Sequence, residues 1–557
     1  MSATDEKKLL SMQGSGGFAM IIALMLIVVV AGYLFTLHQV SAGGTRSSEF
    51  NAKKITANYL AEGGCEAAQK IIQQTLADYS TPPSEGSVVI DGIPAYYTIE
   101  QIGSQRSYED DVGIRTIIQP YLITASVTRE GAVSSVERVV DAGLTPIFQF
   151  AVFYTEDLEM LPGPDLTLTG RVHSNRDIYI GSNSTFTIDS NYLRAVGSLY
   201  QRRKDNGSLT GGTVRAKIKG TEDFYDFENQ GCLDSMGIPS VSGFDSDFSG
   251  YDINGDGDFQ DEGEMEGWST RSQELWGGTV KTGEHGLREI VPPSVSTLKA
   301  YVDDGDGGSQ KGFFHNNAGL AIRDNHAYIG EIDVTSCLPD STITETTMYD
   351  GRENQTITVT EIDMEKLGAS GYFPANGLLY AWRSDGDSDN PNGIRLKNGS
   401  ELAGPLSVVS ENPVYVWGDF NMTDKKPASI ITDAINLLSN NWDDTKTADS
   451  LPEAAETTIN AAFLTGNQVT EAGTYNGGLE NLPRFHENWS GVPCNIRGSF
   501  VNTFSSEVGQ GGWSYGGDNY TAPQRNWDYD TDFNDFNKLP PFTPYVVVIE
   551  RVVQTNR

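Results

Sequence analysis

Residues 18–37 read FAMIIALMLIVVVAGYLFTL, twenty residues without a charged side chain. At ~1.5 Å per residue, a helix of that length spans the ~30 Å hydrocarbon layer of a bilayer. No other stretch of the chain matches it, so the sequence predicts one membrane-spanning helix near the amino end and a large remainder outside the membrane. A cleaved secretory signal is the competing reading. It fits poorly, because the run exceeds the usual ~7–15 residues and no A-x-A-like site follows closely. Charge leaves the orientation open: Lys7 and Lys8 sit beside Asp5 and Glu6 before the span, and Arg46, Lys53 and Lys54 follow it.

Downstream, residues 47–79 place Ile55, Tyr59, Leu60, Ala67, Ala68, Ile71, Ile72 and Leu76 at helical spacing. The helix is therefore expected to leave the membrane and continue as an amphipathic extension over 38–80, stopped by Thr81-Pro82-Pro83. Gly63-Gly64 is its weak point and a predicted kink, at a cost of about 1 kcal/mol per Gly relative to Ala. Segments 87–90, 95–102, 121–128 and 134–140 alternate or cluster apolar residues between turn signals, which predicts a small antiparallel β unit over 84–146 packed on the helix.

Upstream, Gln13-Gly14-Ser15-Gly16-Gly17-Phe18 sets a short hydrophilic leader, residues 1–17, ending in Gly against the apolar run. This resembles the class III signal of type IV prepilins and pseudopilins. The resemblance implies a prepilin peptidase cut between Gly17 and Phe18, with methylation of the new amino-terminal Phe18. Gly at the cut is physically sensible, since it crowds the backbone with no Cβ. Pilins usually carry Glu four residues after the first mature residue; here that position is Ile22. Together with the run ANYLAEGGCEAA over 57–68, which is similar to PilX-type amino-terminal domains, this departure implies a minor or tip subunit. Helix plus meander is the pilin plan, and the resemblance covers about the first 145 residues.

The rest reads as β structure. The 557-residue chain has 60 Gly and 23 Pro, with short β-branched runs closed by Gly, Asn or Asp. Between 393 and 438 the runs IRLKN, LSVVS, VYVWGDFN, ASIIT and AINLLS follow one another closely. The expected class is α+β overall: a helical stem, then a mainly-β head divided at about 147–375 and 376–557. A parallel β-solenoid suits such spacing, although no strict period is evident and a β-sandwich stays open. With 75 acidic against 39 basic residues and a net charge of −36, the chain repels polyanions, which excludes nucleic acid as a partner.

The sharpest chemical motif lies at 252–264, DINGDGDFQDEGE. Asp252, Asn254 and Asp256 alternate before Gly257, as in the start of an EF-hand-like Ca²⁺ loop, with Asp258 offering its carbonyl. Position twelve is Gly263, so Asp261, Glu262 or Glu264 must close the site. The four cysteines form no CxxC pair, and Cys232–Cys337 is the disulfide candidate. The six histidines lack zinc-site spacing, and GxSxG, P-loop and GxGxxG motifs are absent. Two classes of function remain. One is a non-enzymatic, membrane-anchored assembly subunit that packs with other pilin-like subunits in the bacterial inner membrane and displays a β head in the periplasm, on a pilus or at the cell surface. The other is a membrane-tethered carbohydrate-active enzyme or sugar-binding adhesin acting on surface polysaccharide.

Overall fold

The structure, a computed structural model, describes residues 15–227, 231–232, 246, 251–252, 268–303, 305, 307–473 and 475–556. A single helix, α1 (Ser15–Ala77), runs for 63 residues, roughly 95 Å at helical rise. Its second part packs inward through Ala57, Leu60, Ala61, Cys65, Ala68 and Ile72, all buried and spaced by three or four residues. The helix ends before the prolines: Tyr79 takes φ 57°, and the Ser80 N–H donates to the Thr75 carbonyl at 2.7 Å, a Schellman-type stop.

Gly63 and Gly64 lie within one continuous helix. They allow close approach. A Cβ at Gly64 would sit 3.1 Å from the Ala125 Cβ and 3.2 Å from that of Ala95, and one at Gly63 would lie 2.6 Å from the Ile90 Cδ1. The helix cost of two glycines is offset by a tighter contact with the sheet.

That sheet is antiparallel: β1 (Glu85–Ile90), β2 (Ile93–Gln101), β3 (Arg106–Glu109), β4 (Arg115–Arg129) and β5 (Ala132–Pro146), with β3 pairing off the edge of β4. Alternate side chains, among them Tyr97, Ile123, Ala125, Val136 and Val140, face α1 and bury there. The sheet is finished by the last strand of the chain, Tyr545–Asn556, which pairs antiparallel with β5 (Ile549 opposite Ala142). The boundary expected at 376–557 therefore needs correcting, because its final segment belongs to the stem. Arg138, 1% exposed, ties the pieces together: Nη1 donates to Glu66 Oε1 at 2.7 Å and to Gln69, and Nε donates to Gln554 Oε1 at 3.0 Å.

Residues 147–544 form a β-rich head of mixed sheets, none closed into a barrel among the described residues. In the second half of the chain, strands alternate between two parallel sheets. Gly393–Lys397 is followed by Leu406–Ser410 in the other sheet, then Val414–Trp417 by Ala428–Thr432, and Ile435–Leu438 by Thr457–Thr465. One apolar row runs through the larger sheet in unbroken register: Leu320, Leu379, Val408, Ile430, Phe463, Phe500, Val152, Val172, Leu193 and Val280. Every member is at most 2% exposed, and each contributes on the order of 1.5–3 kcal/mol by burial.

The row is not in chain order. It passes from 320 to 500 and then from 152 to 280, so the chain starts at the middle of the stack, winds to one end, crosses to the other and winds back. The first run carries a repeat that the sequence reading missed: Val152, Val172 and Leu193 align, as do Leu158, Ile178 and Leu199, at steps of 20 and 21 residues. The second run has no fixed step.

Beginning and ending mid-stack puts the two ends of the head side by side, where β5 and the last strand pair. Several contacts fix head to stem, among them three beside the end of α1 and the last strand. Val291 bridges Val547, the Ser294 N–H donates to Asp78 Oδ1 at 2.8 Å, and Tyr79 stacks on Phe313 with ring centroids 3.9 Å apart.

Candidate functional site: a bare helix and a polar groove

The first part of α1 is the most unusual surface of the molecule. From Phe18 to Val40 its large apolar side chains are all exposed, from 46% at Ile22 to 73% at Val40, and the first acidic residue in the described helix is Glu49. A continuous apolar surface that long is untenable in water and has the length and composition of a membrane span. Gly17 and Phe18 fall in the opening turn of the helix as described, and the Phe18 side chain is 69% exposed. Cleavage of the 17–18 bond would thus require that turn to unwind, which is cheap because the first four N–H groups of a helix lack internal partners.

Of the calcium-loop residues, only the Asp252 backbone is described, in the short strand Tyr251–Asp252 paired with Gly231–Cys232. Asn254, Asp256, Asp258, Asp261 and Glu264 lie outside the described residues. Among the described residues, no group of three or more His, Cys, Asp or Glu could hold a metal ion. A second acidic turn, at 385–389, is engaged locally: Asp385 pairs with Arg383 at 2.7 Å, and Asp387 accepts from the Asp389 and Asn390 N–H groups. Of the disulfide candidates, Cys337 is an exposed thiol, and the Cys232 side chain lies outside what is described; Cys65 and Cys494 are free and buried.

His173, His315 and His486 are buried in packing, whereas His326 is exposed and lies 3.2 Å from Asp333 Oδ2. His173 is fully enclosed, with Nε2 3.0 Å from Asn175 Oδ1 and its ring stacked on Phe153, and burial lowers its pKa to about 4. Six of the eight tryptophans are buried, while Trp417 and Trp513 are half-buried and Trp417 lines a small cleft with Lys397 and Asn440.

One open cleft among the described residues is polar. A groove of about 960 Å³ lies where the two runs of the head meet. One wall comes from Leu166–Thr169, Thr185–Asp189 and Thr213–Lys217, whose register sets Thr167, Thr187 and Arg215 in a row. The Arg215 Nε donates to Thr187 Oγ1 at 2.9 Å. The other wall comes from Thr457–Thr465, Pro493–Asn502 and Gln524–Tyr529. Here register aligns Thr458 with Asn495 and Asn526, and Asn460 with Arg497 and Asp528. The Asn526 amide donates to Asn495 Oδ1 at 2.8 Å, and that of Asn495 to Thr458 Oγ1 at 3.1 Å. Thr169 donates to Asp528 and joins the walls.

Strand alternation explains the groove: Ile496 and Trp527 point into the core while their neighbours project outward. Sequence reasoning missed it because the walls are remote in the chain. The only local signal was the polar-apolar alternation of CNIRG and RNWDY.

No protein-family model matches the chain. No curated protein matches it either. Among solved structures, it is similar to the crystal structure of the competence-associated pilin ComZ from Thermus thermophilus, at 11% identity and a TM-score of 0.24, over 91% of this chain and 98% of that one. A superposition that loose carries no argument about fold or function.

Proposed function

We propose that the protein is a non-enzymatic, pilin-like subunit of the minor, PilX-like kind, anchored by residues 18–37 and displaying its β head outside the membrane. One observation carries this reading: α1 is a single helix whose first part is bare and apolar while its second part is locked into an antiparallel sheet. A helix so built can pack its free part among other apolar helices, in the inner membrane or in a filament, and transmit position to the head through a rigid stem. The leader at 1–17 supplies the route, with prepilin peptidase as the processing partner and Gly17–Phe18 as the cut. Ile22 in place of an acidic residue suits a subunit at a tip or in a minor position.

We read the head as one parallel β-solenoid whose coils are out of chain order, on the strength of the unbroken apolar row. Segment 252–264 is read as a calcium loop bracing it, on its ligand spacing. Display is favoured over turnover by the groove's chemistry. Its carboxylates are Asp165 and Asp528. Hydrogen bonds from Ser184 and Thr185 hold the Asp165 carboxyl below its usual range, whereas glycoside hydrolysis needs a carboxyl raised to act as acid. The test is cysteine crosslinking in membranes of the native host, with Leu24→Cys and Val28→Cys. Adducts to other apolar-helix subunits are expected; a chain that remains solitary at both positions contradicts assembly.

A further inference from the structure

The groove between the two runs of the head is polar, open and locally basic in a strongly acidic chain. Its charged lining is three arginines, Arg215, Arg497 and Arg525, against two aspartates, within a protein of net charge −36. Screening over ~8–10 Å means a ligand seated in the groove feels these guanidiniums more than the distant acids. Arg497 is the sharpest feature. It is exposed, stands in register between Asn460 and Asp528, and makes no hydrogen bond or ion pair among the described residues. Asp528 is meanwhile engaged by Thr169. Arg525 lies over the Trp527 ring at 5.3 Å, and its Nε is buried without a partner. Arg525 also donates through Nη2 to the Glu480 carbonyl at 3.4 Å, so Arg497 is the one guanidinium of the groove with all its donors free beside the amide and hydroxyl ladder.

We propose that this groove binds a linear acidic polysaccharide, a chain bearing uronate carboxylates. The ladder Thr458–Asn495–Asn526 repeats at the ~4.8 Å strand spacing, close to the length of one pyranose unit, and offers alternating donors and acceptors to hydroxyls. Guanidinium forks match carboxylates in a bidentate way. The facing row Thr167–Thr187–Arg215 supplies the second side, and the exposed rim residues Asp165, Thr167, Asn526 and Met422 leave the cleft open along its length, as a polymer requires. The proposal deepens the reading of a displayed head by naming what the head takes, yet it rests on head geometry and can fail separately from assembly.

The experiment uses the full chain in detergent micelles, titrated with polygalacturonate, alginate, neutral dextran and single-stranded DNA. Binding to the two uronate polymers is expected, falling as salt rises. Arg497→Ala should weaken it about tenfold and leave the melting temperature unchanged, since that side chain supports nothing else. Arg323→Ala, on a strand far from the groove, should leave binding intact. No uronate binding, equal binding of dextran, a preference for DNA, or an unaltered affinity in Arg497→Ala would each overturn the proposal. Crosslinking through Leu24 and Val28 reads the assembly reading independently.

Discussion

The amino-terminal part of α1 and the head treat the same kind of residue in opposite ways. In the head, strands such as Leu378–Trp382 and Leu406–Ser410 are buried at every position. Between 18 and 40 the helix buries none of its large apolar side chains. The head is complete in itself, whereas the helix is complete only with lipid or neighbouring helices around it. The second part of the helix lies between these extremes, with one stripe covered by the stem sheet and the rest wet.

The comparison can be broken most severely with paired truncations along α1. Ile72, fully buried against the stem sheet, should cost about 2–5 kcal/mol as Ile72→Ala, read by denaturant unfolding in detergent. Ile27, 67% exposed, should cost nothing in the same assay. Equal losses would mean that the bare part packs on the protein after all.

Next in size is a pH effect confined to the head. Glu480 and Glu487 are buried, and burial pushes each carboxyl up to about 7 from an ordinary 4.5. The folded chain keeps protons that the unfolded chain releases, so head stability is highest below about pH 4.5, falls between 4.5 and 7, and levels above that. The loss per group is at most about 3 kcal/mol. Glu480→Gln should therefore raise the melting temperature at pH 8 and flatten its decline from pH 5; an unchanged profile would place that carboxyl in water.

A smaller contrast uses glycines of the same helix. Gly64→Leu meets Ala125 and Ala95 and should destabilise the stem by about 1–3 kcal/mol. Gly32→Leu, with nothing within 4 Å, should be silent. Smallest is the effect of EDTA, expected to lower the head's melting temperature by a few degrees in the parent chain and not in Asp256→Ala. No calcium dependence at all would defeat the reading of 252–264.

Much of the stem was legible because its signals are local. An uncharged run, an apolar stripe at helical spacing and four alternating strands each declare themselves within twenty residues. What escaped was long-range. Nothing in YVVVIERVVQTN at 545–556 says that it pairs with β5 some four hundred residues earlier. The coil order of the head was hidden for the same reason, since parallel pairing leaves no hairpin turn to announce its partner. The 20-residue repeat in 152–199 rests on apolar class alone, Val152 with Val172 and Leu158 with Ile178, and lasts too few coils to stand out. The packing role of Gly64 was hidden because helix propensity is local while the approach of Ala125 is not. The groove shares that cause: Thr167 and Asn526 become neighbours of one cleft only after the head has closed its stack.

The central claim is that the bare helix is a processed, pilin-like assembly element. Mass spectrometry of the mature amino terminus from the native host tests it most directly. An amino terminus at N-methylated Phe18, with residues 1–17 removed, is the predicted result; a chain that retains Met1–Gly17 intact would contradict it.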